Sequence, residues 1–340
     1  MFSKVIVGFD GSEQVRDALA LGAALTACDG ELTICCVYHL ESLAARVDPT
    51  EPRLDRAAAE RYLEQATRLL DSQVAVSSLL VAGTSAATAL QSAAEERHAD
   101  LLVLGSSHRG AIGRVLVGSV TEQTLHGAPC PVAVAPVGFR GWAGGARLGH
   151  IAVGCDVAGT AHSALSTGVT LALQTGAELR VVAVADTAAA VAGGASVAMS
   201  YPAIVKARLD AAEEALARAL AGLPEGISAS SEVRDGQPAE KLLEITHSVD
   251  LLVLGSRGRG PARRLMLGSV CDAIVCAAAC PVLVVAPAVE AKGLPRQEVQ
   301  VRSPVRERAA RATPHALPNQ TRPPPSGTRR RPWLPPRPQQ

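Results

Sequence analysis

The feature that most constrains this chain is a seven-residue sequence that occurs twice. Asp100–Ser106 reads DLLVLGS, and Asp250–Ser256 reads DLLVLGS again, 150 residues later. Other landmarks recur in the same order at offsets of 146 to 150: Val5–Asp10 with Ile151–Asp156, Gly118–Val120 with Gly268–Val270, and Cys130–Pro131 with Cys280–Pro281. This period is too long for a solenoid unit, so it predicts a tandem duplication of one whole domain.

Each repeat is predicted to alternate strands with helices. Continuous apolar runs indicate buried strands, and the stretches between them have apolar residues at the spacing of a helix. In the first repeat the strands are Lys4–Phe9, Leu32–Tyr38, Val74–Val81, Leu101–Leu104 and Pro131–Ala135, and the helices are Val15–Cys28, Asp55–Leu70, Ser85–Arg97 and Ser119–His126. The second repeat follows the same order, from Ile151–Gly154 to Val282–Ala286. Strands of this kind favour an α/β fold, with a parallel sheet covered by helices on both faces.

Composition supports this fold and sets the domain organisation. Hydrophobic residues make up 48% of the chain but aromatic residues only 2%, so Ala, Val and Leu must fill the core. We predict an α/β domain over 1–137, a linker over 138–149, a second α/β domain over 150–287 and a tail over 288–340. Residues 291–340 hold 11 Lys or Arg against two Asp or Glu, and 11 of the 22 prolines. Such a segment buries too little apolar surface to order itself, which predicts a disordered basic tail.

The remaining bulk features exclude several classes of protein. No stretch is long and apolar enough for a membrane span, and the start lacks a signal-peptide hydrophobic region, so we expect a cytoplasmic protein. The tail's charge fits a contact with nucleic acid or another anionic partner, and a solvated tail without a specific partner is the alternative. The eight cysteines form no C-x-x-C pair, which favours reduced structural thiols. A redox-active cluster is the alternative for three of them: Cys271, Cys276 and Cys280.

The loop after the fourth strand of the second repeat carries the clearest chemistry. Gly255 and Gly258 permit close backbone approach to a ligand, and Ser269 opens a helix whose free N–H groups and dipole favour a phosphate. In open α/β sheets ligands bind outside the carboxyl ends of the strands, where this loop is predicted to lie. Positive charge follows the first glycine, at Arg257, Arg259, Arg263 and Arg264.

Structural alternatives exist for some of these residues. Ser269–Asp272 and Ser119–Glu122 both have the pattern of a capping box, which would explain the serines without a ligand. Asp10 and Asp156 each follow a strand and precede a helix, so each is also a candidate helix cap. Neither alternative explains the paired glycines or the arginines.

The pattern G-x-x-G, nine residues, then G-[S/T] resembles the nucleotide-binding signature of the universal stress protein family. Gly255, Gly258, Gly268 and Ser269 match every position, and the resemblance extends over both repeats. It implies two tandem domains, each an open five-stranded parallel sheet of order 3-2-1-4-5 with helices on both faces. It also implies an adenine nucleotide, ATP or AMP, with Mg²⁺ beside ATP as an open alternative.

The resemblance assigns roles residue by residue in the second repeat. It implies that Asp156 meets the adenosine moiety and that Val184 lines the adenine. The residues that would hold the ribose and the phosphates are Gly255, Gly258, Gly268, Ser269 and Val270, with Arg257 adding charge.

The first repeat departs from the signature at one position. His108 stands where the second glycine belongs, and a side chain there opposes close backbone approach. The other expected positions are present: Asp10, Val37, Gly105, Gly118, Ser119 and Val120. We therefore expect an intact nucleotide site in the second repeat and a degenerate one in the first.

Three functions fit this sequence. The favoured one is an ATP-binding regulator of the stress response, because no catalytic constellation is visible and the family lacks a single defined reaction. A slow ATPase is the second, although no acidic pair near the loop clearly holds Mg²⁺. The third is a nucleotide-free interaction scaffold, in which the closing strands Pro131–Ala135 and Pro281–Ala286 pair the two repeats within one chain. A homodimer of such chains is a further alternative.

Overall fold

The computed structural model describes residues 1–12, 15–39, 54–70, 74–106, 118–139, 148–155, 162–186, 201–256 and 265–286. These all lie within one compact unit, Met1–Glu290. The predicted tail lies outside the described residues. Within the described ranges no helix is both long and apolar enough to cross a lipid bilayer.

Ten strands and eight helices alternate along the described part of the chain. The first repeat contains β1 (Phe2–Gly8), α1 (Val15–Leu25), β2 (Thr26–Tyr38), α2 (Arg56–Leu69), β3 (Ala75–Ala82), α3 (Ala86–Glu96), β4 (Leu101–Gly105), α4 (Ser119–Leu125) and β5 (Val132–Ala135). The second contains β6 (His150–Cys155), α5 (His162–Thr175), β7 (Glu178–Ala185), α6 (Tyr201–Ala221), β8 (Ala229–Asp235), α7 (Pro238–Ile245), β9 (Leu251–Gly255), α8 (Ser269–Ala277) and β10 (Val282–Val285).

The strands form one sheet in the order β3-β2-β1-β4-β5-β10-β9-β6-β7-β8. Each half is parallel and has the predicted order 3-2-1-4-5, so the expected fold class is confirmed. The two halves join through β5 and β10, which pair antiparallel with Leu283 opposite Ala133. The closing strands therefore pair the repeats within one chain, as the scaffold hypothesis anticipated.

Helices cover both faces of this sheet because neighbouring strand residues point to opposite sides. Val5 and Val7 belong to one buried cluster, with residues of α1, α2, α5 and α6. Ile6 belongs to the other, with residues of α3, α4, α7 and α8. Each cluster contains residues of both repeats, so the β5–β10 junction is part of a continuous core. Phe139 and Leu148, inside the range predicted as a linker, are also buried in the first cluster.

One predicted boundary is wrong. The first helix was expected to run to Cys28, but α1 ends at Leu25 and β2 begins at Thr26. The Thr26 hydroxyl donates to the Gly22 carbonyl at 2.7 Å, and Thr26 pairs with Phe2 of β1. A helix carbonyl is thus satisfied by a side chain at the point where the backbone turns into the sheet.

Candidate nucleotide-binding site

The strand order reverses between β6 and β9, which places a crevice at their carboxyl ends. The crossover from β6 leads to α5 on one face of the sheet, whereas that from β9 leads to α8 on the other. Open α/β sheets bind ligands at such a switch point. The first repeat has the same reversal, between β1 and β4.

The start of α8 lies over the carboxyl end of β9. Gly268 is the N-cap, in an extended conformation (φ −92°, ψ 162°) and without a side-chain capping hydrogen bond. Ser269 is the first helical residue and is exposed. The thiol of Cys271, in the first turn, donates to the Gly255 carbonyl at 3.5 Å. The structure therefore brings Gly255, Gly268 and Ser269 to one edge of the sheet.

The capping-box interpretation of the two serines is wrong. Gly118 and Gly268 occupy the N-cap positions, and Ser119 and Ser269 follow as the first helical residues. A serine caps a helix from the N-cap, where its oxygen can accept from the second or third helical N–H group. Neither helix start therefore has the side-chain cap that the pattern predicted, and a helix N-terminus of this kind carries free N–H groups and partial positive charge that favour an anion.

The first repeat builds the same arrangement with a different contact. Gly118 is also extended (φ −63°, ψ 149°), and the Thr121 hydroxyl donates to the Gly105 carbonyl at 2.9 Å. Val120 follows Ser119 in the first turn of α4. That helix has seven residues, whereas α8 has nine.

Two buried serines were missed in the sequence. Ser106 and Ser256 directly follow β4 and β9, and each is only 3% exposed. Their N–H groups extend the sheet by donating to Ala135 and Val285, at 2.9 and 2.8 Å. Their hydroxyls have no partner among the described residues. Since buried polar groups are normally hydrogen-bonded, the partners of these two equivalent hydroxyls lie outside the described residues. The signal that could have found them was the repeated DLLVLGS itself.

The residues expected to meet the base lie at the ends of the neighbouring strands. Val37 and Val184 are the penultimate residues of β2 and β7 and are 7% and 9% exposed. Both belong to the buried cluster beneath α4 and α8, so each shares a sheet face with the helix start of its repeat. This is the geometry that a base near Val184 and phosphates near Ser269 would require.

Asp10 is exposed at the carboxyl end of β1, and its carboxylate accepts a hydrogen bond from the Ser12 N–H at 2.9 Å. The described helix α1 begins later, at Val15, so Asp10 closes a local turn in addition to any role towards a ligand. Burial raises the pKa of the neighbouring Cys36 thiol to about 12, and the negative charge of Asp10 acts in the same direction.

Four residues of the predicted sites lie outside the described residues: Asp156, Arg257, Gly258 and, in the first repeat, His108. Within the described ranges no three His, Cys, Asp or Glu side chains are grouped as metal ligands. The eight cysteines, all of which lie within the described residues, form no disulfide bond. Burial raises the pKa of Cys280 to about 12, which opposes a reactive thiolate at that member of the proposed redox cluster.

Several known proteins are similar to this chain. Universal stress protein Rv2005c of Mycobacterium tuberculosis is 32% identical over 298 residues, which cover 82% of this chain and 96% of that protein. The crystal structure of a universal stress protein from Archaeoglobus fulgidus covers 84% of this chain and 98% of its own, with a TM-score of 0.54 at 18% identity. A solved universal stress protein in complex with cAMP covers 40% of this chain and 97% of its own, with a TM-score of 0.31 at 24% identity.

The family model of universal stress proteins matches the chain twice, over residues 1–136 and 148–286. These two matches follow the two halves of the ten-stranded sheet, each with strand order 3-2-1-4-5. The chain is therefore a tandem, two-domain member of the universal stress protein family.

Proposed function

We propose that this universal stress protein binds an adenine nucleotide, ATP or AMP, in its second repeat and acts as a regulator of the stress response. The observation that carries the proposal is the start of α8, which has no side-chain cap and lies over the end of β9. A helix of nine residues presents N–H groups and partial positive charge that suit a phosphate. The buried hydroxyl of Ser256, which has no hydrogen-bond partner among the described residues, directly follows Gly255 at the end of β9.

The proposed roles follow the family signature. Val184 lines the adenine, and Asp156 contacts the adenosine moiety. The phosphates and ribose are held by residues from the end of β9 to the start of α8, namely Gly255, Arg257, Gly258, Gly268, Ser269 and Val270. Mg²⁺ beside ATP stays an open alternative, in which the phosphates would supply part of its ligands.

The first repeat is proposed to bind nucleotide weakly. It retains Gly105, Gly118 and Ser119, but His108 replaces the second glycine of the signature. A side chain at that position opposes the close backbone approach that a phosphate needs. One nucleotide per chain is therefore the expected stoichiometry.

Identification of the resident nucleotide tests this function. The purified full chain is denatured, and any released nucleotide is identified by chromatography and mass. We expect one ATP or AMP per chain. An empty protein whose melting temperature also ignores added ATP would support the scaffold hypothesis, because a ligand of the native state must raise its apparent stability.

Substitution within the signature tests the site. Gly258→Asp adds a carboxylate to the proposed phosphate loop, so ATP affinity should fall at least about tenfold in calorimetry. Gly260→Asp is the matched control: it adds the same charge two residues away, outside the signature, and should change affinity far less. Equal affinities for wild type and Gly258→Asp would refute the assignment. His108→Gly should raise the stoichiometry from one towards two.

A further inference from the structure

The second repeat's phosphate-binding segment is attached to the first repeat. The Gly127 N–H donates to the Leu265 carbonyl at 2.9 Å, and the Leu265 N–H donates to the Ala128 carbonyl at 3.1 Å. These two hydrogen bonds form a short backbone bridge between residues 137 or more positions apart. They join the segment before α8 to the turn after α4.

The Leu265 side chain strengthens this attachment. It is 0% exposed and belongs to the cluster that combines Ala128, Cys130 and Val132 of the first repeat with Cys280 and Val282 of the second. Burying a leucine side chain on this scale is a substantial contribution to docking. By contrast its neighbour Met266 is 53% exposed, and Leu267 is partly buried against the same cluster.

The turn that receives Leu265 is held in place by its own repeat. Gly127 has φ +108°, a backbone conformation that residues other than glycine rarely adopt. The Gln91 side-chain amide of α3 donates to three carbonyls at the end of α4 at 3.0 to 3.1 Å, those of Gln123, Thr124 and His126. The Gly127 N–H and the Ala128 carbonyl, to which Leu265 bonds, are thus held in place by contacts within the first repeat.

Leu265 lies three residues before Gly268, the N-cap of α8. The first turn of α8 is held from the other side by the Cys271 contact to Gly255. The segment from Leu265 to Ser269 is therefore fastened at one end to its own strand and at the other to the first repeat. A displacement at Leu265 would be transmitted over this short distance to the Gly268 and Ser269 N–H groups.

We propose that the first repeat positions the phosphate-binding turn of the second, with Leu265 as the positioning residue and Gly127–Ala128 as its docking site. The inference rests on the proposed nucleotide function. It assigns the first repeat a role in the site of the second, because Leu265 is docked on residues of the first repeat. Binding linkage then requires that nucleotide in the second repeat also stabilises the turn of the first.

Hydrogen exchange of the wild-type chain gives a direct test. Saturation with ATP should slow exchange of the Gly127 and Leu265 amides at least about fivefold, because both amides donate in the bridge. The Gly176 amide, which bonds within the end of α5 (Gly176 N–H to the Ala172 carbonyl, 2.8 Å), is the internal control and should be unchanged. Bound ATP with no change at Gly127 and Leu265 would overturn the inference while leaving the proposed function intact.

Matched glycine variants give the second test. Gly127→Ala and Gly176→Ala both place a side chain at positive φ, +108° and +73°, but only Gly127 takes part in the bridge to Leu265, since Gly176 bonds locally at the end of α5. We expect ATP affinity to fall at least about fivefold in Gly127→Ala and to stay within about twofold in Gly176→Ala. Leu265→Met, which keeps an apolar side chain of similar size, should bind better than Leu265→Ala.

Equal ATP affinities in Gly127→Ala, Gly176→Ala and wild type would contradict the inference. A wild-type chain that takes up no ATP would overturn the proposed function and the inference together, so the two failures are distinguishable.

Discussion

The two repeats share their interior but differ in how the helices at the carboxyl edge are fastened. A Cβ added to Gly8 would lie 2.8 Å from Leu104, and one added to Gly154 would lie 2.8 Å from Leu254. Equivalent close approaches of helix and strand occur at Gly22 and Gly168. A side chain at any of these four positions would force neighbouring side chains to shift, and both copies have glycine there.

The fastenings at the carboxyl edge are less alike. The hydroxyl of Thr121 holds the start of α4, whereas the weaker thiol donor of Cys271 holds the start of α8. After α8, the Ala279 N–H donates to the buried Thr246 hydroxyl at 3.1 Å, where the first repeat uses Gln91. The contacts of the buried interior are therefore alike in the two repeats, whereas those at the carboxyl edge of the sheet differ.

The largest expected effect concerns Phe139, which follows β5 and is buried in the first cluster. Phe139 is 2% exposed, and the neighbouring Gly138 N–H donates to the buried Asp17 carboxylate at 2.8 Å. Phe139→Ala should lower the free energy of unfolding by about 3–5 kcal/mol, because it removes a large buried side chain and leaves a cavity. Val137→Ala, at a residue 41% exposed, is the control and should change it by about 0.5 kcal/mol or less. Urea denaturation measures both.

Similar losses in the two variants would show that Phe139 does not contribute to the core as its burial implies.

Substitution of the paired helix glycines tests the shared interior. A Cβ at Gly22 would lie 2.5 Å from Val7 Cγ2, and one at Gly168 would lie 2.4 Å from Val153 Cγ2. Alanine at either position gains about 1 kcal/mol of helix propensity, but overpacking against a stiff valine costs about 1–3 kcal/mol. We expect a net loss of stability of similar size for Gly22→Ala and Gly168→Ala in thermal or urea unfolding. A loss in one variant and a gain in the other would break the equivalence of the two repeats.

The smallest effect concerns the matched thiols Cys130 and Cys280. Burial raises the pKa of each from 9.0 to about 12. Below pH 9 the thiol is protonated in both folded and unfolded chains. Above pH 9 only the unfolded chain ionises, so stability falls as pH rises from 9 towards 12.

Cys130→Ala and Cys280→Ala should each make the alkaline loss of stability shallower than in wild type, and by similar amounts. Unfolding free energies measured between about pH 8 and pH 11 test this. A slope that is unchanged in both variants would contradict the burial of these thiols.

Much of the fold could be predicted because its signals are local or repeated. The apolar runs around Val5 and Leu101 are typical of strands buried on both faces. The repetition of DLLVLGS identifies the fourth strand of each repeat. The end of α1 was missed because Val15–Cys28 keeps helical spacing, whereas Thr26 is drawn into the sheet by its pairing with β1. Tertiary contacts outweighed local pattern at that point.

The candidate site was predictable in outline and not in its details. The glycine spacing identified Gly255, Gly268 and Ser269, but it could not show that Ser269 is the first helical residue and not the cap. The burial of Ser256 depends on helix packing above the strand, which the sequence does not display. The bridge from Leu265 to Gly127 joins two distant segments, and no spacing rule connects them.

The antiparallel pairing of β5 with β10 also bears on how the two copies evolve. In a symmetric homodimer every substitution appears on both sides of the interface, so a change that spoils one ligand site spoils both. Here the partner is encoded in the same polypeptide, and dilution cannot separate it. A histidine at position 108 can therefore arise in one copy while its counterpart Gly258 is kept, and the altered copy still serves as the neighbour on which Leu265 rests.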